Sequence, residues 1–278
     1  MEFKKGYTIK PKEVLRTGEI RFTDGTNNVI PNQDACEAYG YTYNSATATC
    51  NAFSYNSTLN NKFNNIFNNT SGGGTENGTK NTILNGQESV TKGNNFNNII
   101  NGEKHQIENG VNNSIILNGI YGQAKNQSEV VIAGGGFNEK IGLSQVSFVQ
   151  QSNKTLDATE TALLTQYLPL TYIQKVANSV IGFEANVIGI NYGGEGEVGE
   201  YGYVQLTGAV KFTNGLASTY HQTSTHIVTA GQSGMNISAE MKDVTATSFG
   251  VHVTGLAGTR IQWTASIKLW QNQLQTTF

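Results

Sequence analysis

Pairs of aliphatic residues recur at a fixed distance in the middle of the chain. They begin at residues 83, 99, 115 and 131, so each step is 16 residues, and the first three are followed closely by Asn-Gly. Weaker apolar positions lie between them, at Val90, Ile107 and Ala124. Because Asn and Gly tolerate the positive φ of sharp corners, this period predicts a solenoid whose coils each hold two short strands. One further step on reaches Ser147-Phe148-Val149, and one step back, with a one-residue slip, reaches Ile66-Phe67, which predicts six coils and a rod about 30 Å long.

A single coil of this kind carries little apolar surface, and isolated two-stranded elements are marginal in water. We therefore expect three chains to pack their aliphatic faces together as a trimeric β-roll or β-helix over residues 63–152. The residues expected along the three-fold axis are Ile83, Ile99, Ile115 and Val131. The alternative is a disordered Asn/Gly tract. The fixed spacing of the aliphatic pairs argues against it.

The pattern changes after the repeat. Residues 157–167 have the spacing of a helix, with Leu163 and Leu164 on its apolar side and Pro169 at its end, which predicts a short neck helix within residues 153–172. From residue 173 to 278 the chain alternates as strands do. Four strands with Gly-rich turns between them predict an antiparallel sandwich or jelly-roll-like tip, and they cover residues 180–190, 202–212, 248–255 and 260–269.

The first 53 residues form an irregular head segment, followed by a polar linker over residues 54–62. Asn32 is a candidate N-cap for a helix over residues 33–39, and a tight hairpin is expected around residues 44–46. Cys36 and Cys50, 14 residues apart, are the only cysteines. They could close a disulfide, but we favour two buried free thiols, as in a protein assembled in a reducing compartment.

Composition and charge narrow the function classes. The net charge is −2 and charged residues make up 14% of the chain, so clustered Lys/Arg for nucleic acid is not expected. No stretch approaches the roughly 20 apolar residues of a membrane-spanning helix, and Met1–Tyr7 lacks the apolar core of a signal peptide. We therefore expect synthesis in a cytoplasm and no membrane insertion.

Candidate chemistry is sparse. Residues 194–199 match G-x-G-x-x-G literally, but a strand follows where a dinucleotide site needs a helix, so we expect a hairpin loop. His221 and His226 are more consistent with a strand or loop surface than with a metal site, and His105 is expected to be solvated at a coil corner. No pair of acidic residues stands out as the carboxylates of a glycosidase. These observations predict no metal, no cofactor and no enzymatic activity.

The C-terminal hundred residues resemble a small all-β tip domain found at the ends of bacteriophage fibre proteins. The resemblance rests on Phe183-x-Ala185-x-Val187, on residues 203–211, and on the pattern of Val, Gly, Ile and Trp over residues 251–265. In such fibres the tip commonly follows a thin shaft of Asn/Gly coils, as it does here. The shaft also resembles the trimeric β-roll heads of bacterial surface adhesins, which have a different repeat length.

The resemblance implies a homotrimeric virion fibre of the non-enzymatic kind, made in the host cytoplasm. Its N-terminus would dock on the phage capsid or tail, with Phe3, Tyr7 and Phe22 as candidate anchor residues. Its tip would attach to a host-surface glycan or protein. Candidate contact residues are the aromatic and polar ones in the tip: Tyr192, Tyr201, Tyr203, Tyr220 and His221. A head fibre and a tail fibre both remain open. The alternatives are a bacterial trimeric adhesin and a tailspike-type polysaccharide-degrading enzyme.

Overall fold

The computed structural model describes residues 9–15, 18–52, 65–66, 69–70, 74–75, 80–133, 140–167, 169–228 and 235–274. It is mainly β, with 59% strand and 3% helix, and it contains a β-solenoid of about 3 turns, so the predicted fold class is confirmed. Three parts follow one another along the chain: a small N-terminal unit, the solenoid and a two-layer sandwich.

The N-terminal unit has its own small core. Its elements are β1 (Lys10–Val14), β2 (Ile20–Thr23), β3 (Asn28–Val29), α1 (Gln33–Ala38), β4 (Thr42–Asn44) and β5 (Thr49–Asn51). The first three strands form one antiparallel sheet, and β4 pairs with β5 as a hairpin. The Asn32 side chain accepts a hydrogen bond from the Ala35 N–H and caps α1, which confirms the predicted helix and hairpin.

Cys36 and Cys50 form a disulfide, so the prediction of free thiols is wrong. Their Cα atoms are 5.7 Å apart, and both side chains are fully buried beside Ile20 and Phe22. The helix and the hairpin pack on this one small cluster, which brings the two sulfurs together. A unit with so few buried residues gains from a covalent link that restricts its unfolded state.

Two stacks of short parallel strands make up the solenoid. Its elements are β6 (Asn65–Ile66), β7 (Asn69–Thr70), β8 (Gly74–Thr75), β9 (Thr82–Gln87), β10 (Val90–Thr91), β11 (Asn98–Glu103), β12 (Gln106–Ile107), β13 (Ile115–Ile116), β14 (Gln123–Ala124) and β15 (Val130–Ala133). One stack runs β6-β9-β11-β13-β15 and the other β8-β10-β12-β14, so the two strands predicted for each coil are confirmed.

The aliphatic column lies inside the coil of a single chain. Ile83, Ile99, Ile116 and Val131 have no exposed surface and pack with Ile107, Val111 and Ala124. Ile99 pairs with Ile116, so the third coil is one residue longer than the repeat and Ile115 is left half-buried outside the coil. Of the four residues predicted for the three-fold axis, Ile83, Ile99 and Val131 therefore face the interior of one chain, and Ile115 alone retains exposed surface.

Buried polar side chains at the corners tie each coil to the next. Asn81 Oδ1 accepts from the Asn97 N–H at 2.9 Å, and Asn97 Oδ1 accepts from the Ser114 N–H at 3.0 Å. At another corner, Ser89 Oγ accepts from the His105 N–H, and His105 Nδ1 accepts from the Gly122 N–H. His105 is fully buried, so its expected solvent exposure is wrong. These bonds satisfy backbone groups that the sharp corners would leave unpaired.

The sandwich begins where a further coil was predicted. Its elements are β16 (Ser144–Thr155), β17 (Thr161–Ala162), β18 (Ile173–Gln174), β19 (Ser179–Gly194), β20 (Tyr201–Phe212), β21 (Ser218–Val228), β22 (Ser238–Thr245), β23 (Ser248–Thr254) and β24 (Thr259–Gln273). β16 pairs with β15 in the antiparallel sense, so the residues around Phe148 are not a rung of the parallel stack. The four long strands predicted in the tip are confirmed, while β21 and β22 were not predicted.

One sheet runs through both the solenoid and the sandwich, in the order β21-β20-β19-β24-β16-β15-β13-β11-β9-β6. The second layer of the sandwich is a smaller sheet in which β23 pairs with β17, β18 and β22. The core between the layers contains Phe183, Phe212, Phe249 and Trp263, all almost fully buried. Alternate residues of the long strands face either this core or the outer face of the sheet.

No neck helix forms over residues 157–167, so that prediction is wrong. Residues 161–162 form β17, which pairs with β23, and Leu164 forms a bridge with Ser152 of β16. Leu163 is fully buried in the sandwich core. The sheet partners available on both sides outweigh the local helical preference of this segment.

Candidate functional site

A groove of about 530 Å³ opens on the outer face of the sandwich, and we call it the outer groove. It is bounded by the ends of β16, β24 and β19 and by the segment around residues 164–167. Its lining residues are Ser152, Asn153, Lys154, Leu156, Leu164, Thr165, Gln166, Tyr167, Tyr192, Gln262 and Trp263. A groove with aromatic, amide and hydroxyl side chains suits a polar ligand that also offers apolar faces.

Backbone pairing builds the two walls of the outer groove. β16 pairs with β24 so that Lys154 lies opposite Gln262, and both side chains are exposed. The opposite wall is anchored by two bonds between the backbones of Ser152 and Leu164, at 2.9 and 3.1 Å. Asn153 Nδ2 also donates to the Ala162 carbonyl at 2.8 Å. The wall is therefore fixed to the sheet along its base.

The outer groove presents two exposed tyrosines. Tyr167 is 71% exposed, and it projects from a turn that is closed by backbone bonds between Thr165, Gln166 and Thr171. Tyr192 is 38% exposed at the end of β19, and the Lys154 ammonium lies 5.3 Å from the centre of its ring. Exposed aromatic rings held by a rigid scaffold provide stacking surfaces without a large loss of side-chain entropy on binding.

A carboxylate network lies on the smaller sheet. Glu160 accepts from His252 Nδ1 at 2.7 Å and from Lys242 Nζ at 3.0 Å, and Lys242 also contacts Glu240 at 2.5 Å. The Lys242 hydrogen bond is the main cause that lowers the pKa of Glu160. A carboxylate held ionised by these donors is unsuited to act as a general acid.

A second network surrounds Asp243. Its carboxylate accepts from Tyr220 Oη at 2.6 Å, from Ser218 Oγ at 2.7 Å, and from the buried Lys175 Nζ at 2.7 Å. Burial alone would raise the pKa of Asp243, but these donors outweigh it and the pKa is lowered. Burial and the neighbouring carboxylate raise the pKa of Tyr220. In the described part of the chain, no group of three or more His, Cys, Asp or Glu residues could hold a metal ion.

The structure separates the predicted tip residues. Tyr192 lines the outer groove, and Tyr201 is 44% exposed at the start of β20. Tyr203 is half-buried and donates to Asn186 Oδ1 at 2.8 Å. Tyr220 and His221 lie towards the other end of the same sheet, opposite Val210 and Ala209 of β20. The five side chains thus form no single surface, and their role as receptor contacts stays a prediction.

The predicted anchor residues cannot be treated as one group either. Phe22 is fully buried in the core of the N-terminal unit, where its ring contacts Tyr39 and Tyr41 edge to face. It therefore supports that unit from within and has no surface to offer a partner. Phe3 and Tyr7 lie outside the described residues.

An exposed row of apolar side chains crosses the outer face of the long sheet, and we call it the outer ridge. It follows the strand register one residue beyond the buried aliphatic column. Leu84, Leu117, Ile132 and Trp270 are 45, 37, 37 and 39% exposed, and Ile100 and Val146 are half-buried. Because contiguous apolar surface is a feature of interaction sites, the outer ridge is a candidate interaction surface.

Sequence reasoning missed most of the outer groove. Tyr167 and Lys154 lie in segments that were assigned to a neck, and Gln262 lies in a strand whose exposed face carries no distinctive pattern. Only Tyr192 was singled out. Pro169, two residues after Tyr167, could have indicated the groove. Proline favours a turn, and a turn that projects from the sheet places a neighbouring aromatic residue in solvent.

No protein-family model matches the chain, and a search of curated proteins gives no match. Two solved structures match the chain at low identity and low TM-score. One is the tailspike protein gp49 from Acinetobacter baumannii bacteriophage Fri1, with 10% identity and a TM-score of 0.33, covering 77% of this chain and 37% of that protein. The other is the tailspike protein of Acinetobacter baumannii phage AM24, with 8% identity and a TM-score of 0.26, covering 76% and 52% of the two chains.

The chain spans about 37% and 52% of the lengths of these two tailspike proteins. The Fri1 protein is described as a capsular polysaccharide depolymerase. This finding contradicts the prediction that the chain is not an enzyme, and we do not retain that prediction. In the described part of the chain, no helix is long and apolar enough to span a membrane.

Proposed function

We propose that this chain is a tailspike-type component of a bacteriophage virion that binds polysaccharide on the host surface. The observation that carries the proposal is the outer groove, with exposed Tyr167 and Tyr192 beside the amides of Asn153, Gln166 and Gln262. Sugars offer hydroxyl groups for amides and weakly polar ring faces for aromatic side chains. The tip resemblance in the sequence and the joined solenoid and sandwich support the same function.

The experiment measures binding and cleavage together. Purified protein is titrated with surface polysaccharide from candidate host bacteria, and the polymer length is followed by size-exclusion chromatography. We expect saturable binding that Tyr167→Ala weakens by about tenfold, because loss of one stacking contact removes about 1–2 kcal/mol. Phe96→Ala is the matched control, since Phe96 is an aromatic residue of the solenoid that is 50% exposed.

Two results of this titration would decide against the proposal. The first is the absence of binding to every surface polysaccharide tested. The second is equal binding by the wild type and by Tyr167→Ala. Shortening of the polymer would identify the enzymatic form of the function, and constant length with retained binding would identify the attachment form.

We further propose that the protein is a homotrimer whose chains meet along the outer ridge. The six apolar side chains of the outer ridge could provide the contact surface between chains. The buried aliphatic column could not, because it has no exposed surface. Three copies would also raise the avidity of a weak sugar site. The N-terminal segment is proposed to dock on the phage capsid or tail, which leaves the sandwich projecting from the virion.

Light scattering tests the assembly. The expected mass is three times the 30.0 kDa of one chain. Leu117→Asp should release monomers, because it would place a charge in the desolvated interface. Val198→Asp is the control, since Val198 is 68% exposed in the loop between β19 and β20 and lies outside the ridge. A monomeric wild type would refute the trimer.

A further inference from the structure

We infer that the outer groove is selective for anionic polysaccharides, whose sugar units bear a carboxylate or a sulfate, and that Lys154 is the residue that recognises the charge. The inference rests on the proposed polysaccharide-binding function and specifies its substrate class. It requires that the groove is cationic, that the Lys154 ammonium is available, and that nearby carboxylates do not compete for it.

The outer groove carries positive charge only. Of the eleven lining residues, Lys154 is the only ionic one, and none is acidic. The remaining lining groups are amides, hydroxyls, two tyrosines, a tryptophan and two leucines. A single cation in an otherwise uncharged concave surface attracts anionic ligands and disfavours cationic ones.

The ammonium of Lys154 is not neutralised within the described part of the chain. The ion pairs formed there join other residues, and the contact of Lys154 Nζ is with the face of the Tyr192 ring, 5.3 Å from its centre. The side chain is exposed on the outer face of β16. A cation held over an aromatic ring keeps its hydrogen-bond donors free for an anion on the ligand.

Three carboxylates, Glu195, Glu197 and Glu200, lie in the loop that follows Tyr192, where the Glu195 side chain packs on Gly258 and Glu200 Oε2 accepts from the Glu197 N–H. The two carboxylates that follow β16 in the sequence are also engaged. Asp157 accepts from the Thr159 N–H at 2.8 Å, and Glu160 is bound to Lys242 and His252. Glu184 lies on the same sheet face but pairs with Lys268, six residues along β24 from Gln262. Six residues of strand correspond to about 20 Å, which is beyond the Debye length of about 8 Å at physiological salt.

The tyrosines and amides complete a site for a charged sugar. Tyr167 and Tyr192 offer ring faces, and Lys154 beside Tyr192 places the cation next to a stacking surface. A sugar stacked on Tyr192 would therefore bring a substituent at its edge within reach of the ammonium. Charge-assisted hydrogen bonds of this kind are stronger than neutral ones, so they can determine which polymers bind.

The experiment compares matched polymers that differ only in charge. The full-length protein is titrated with polygalacturonate and its carboxyl-reduced form, and with dextran sulfate and dextran. We expect at least one anionic polymer to bind more tightly than its neutral partner. Lys154→Met should reduce that preference by about 3–10-fold, and Lys154→Arg should retain it. Lys211→Met is the matched control, because Lys211 is exposed on β20 outside the groove.

The outcomes separate this inference from the proposed function. Tighter binding of polygalacturonate than of its carboxyl-reduced form would identify a carboxylate as the recognised group. Tighter binding of dextran sulfate than of dextran, without the first preference, would identify a sulfate. The inference is overturned if neither anionic polymer is preferred, or if Lys154→Met leaves the preference unchanged. If bacterial surface polysaccharide still binds through Tyr167 in that case, the proposed function stands without the charge selectivity. If that binding is also absent, both fail.

Discussion

Replacing Asn97 with Ala tests whether the corner side chains hold the solenoid together. Asn97 has no exposed surface. Its Oδ1 accepts from the Ser114 N–H at 3.0 Å, and its Nδ2 donates to the Val111 carbonyl at 2.9 Å. The substitution removes both bonds and leaves the backbone where it is.

The two lost bonds differ in cost. The Val111 carbonyl keeps a second donor, the Asn94 N–H at 2.8 Å, so it remains satisfied. The Ser114 N–H loses its acceptor at a fully buried corner, which costs about 1–3 kcal/mol. The volume left by the amide adds about 1 kcal/mol. We therefore expect Asn97→Ala to lower the free energy of unfolding by about 2–4 kcal/mol.

Urea denaturation followed by far-UV circular dichroism measures this loss. Asn101→Ala is the control: Asn101 is an exposed residue of β11, the strand that follows Asn97, and its side chain accepts from Asn85, so its replacement should cost under about 0.5 kcal/mol. Equal costs for the two variants would refute the argument, because it depends on burial of the corner and not on the presence of an amide.

Three further predictions concern other parts of the chain. Replacing Cys36 and Cys50 together by Ser should destabilise the N-terminal unit by about 3 kcal/mol, as expected for a separation of 14 residues, and should speed its proteolysis. Burial lowers the pKa of His105, so the unfolded chain binds a proton that the folded chain does not. Stability should therefore decrease as the pH falls below about 6.5, and His105→Gln should reduce this slope in urea titrations. Asp243→Asn should cost about 1–3 kcal/mol in thermal unfolding, because Lys175, whose side chain is 3% exposed, loses its counter-charge.

Each of these predictions has an opposing result. Proteolysis of the N-terminal unit at an unchanged rate would show that the disulfide adds nothing to its stability. An identical pH slope for the wild type and His105→Gln would exclude the buried imidazole as the titrating group. Asp157→Asn is the control for Asp243→Asn, since the Asp157 carboxylate accepts from the Thr159 N–H of its own turn, and equal losses would show that the ion pair contributes nothing.

The repeat was predictable because its determinants are local. Aliphatic pairs at 16-residue spacing specify short stacked strands, and these are present in the structure. The prediction that Asn-Gly forms the corners is wrong for two coils, because Asn85-Gly86 lies within β9 and Asn101-Gly102 lies within β11. Which residue of each pair faces inward was not predictable. Ile115 and Ile116 are equally apolar, and only the pairing of Ile99 with Ile116 decides between them. This ambiguity accounts for Ile115 only, because Ile83, Ile99 and Val131 do face inward, where they pack in the core of a single chain.

The difference between local sequence preference and long-range strand pairing also explains why the predicted neck helix is absent. Residues 157–167 include Ala and Leu at helical spacing, and local propensity therefore predicted a helix. In the structure Leu163 donates its N–H to Val251, and Leu164 exchanges two hydrogen bonds with Ser152. These partners are remote or lie across a loop, so propensity alone could not reveal them. The outer groove was missed for the same reason, since four separate segments form it.

The central position of β24 has a consequence for the order in which the chain folds. β24 pairs with β16 on one side and β19 on the other, so residue 144 meets residue 272. Neighbouring coils of the solenoid join residues only about 16 apart. Because closing long loops slows folding, the coils can form while the polypeptide is still emerging from the ribosome. The sandwich must wait for its last strand, and until then the edges of β16 and β19 are open to pairing with other nascent chains.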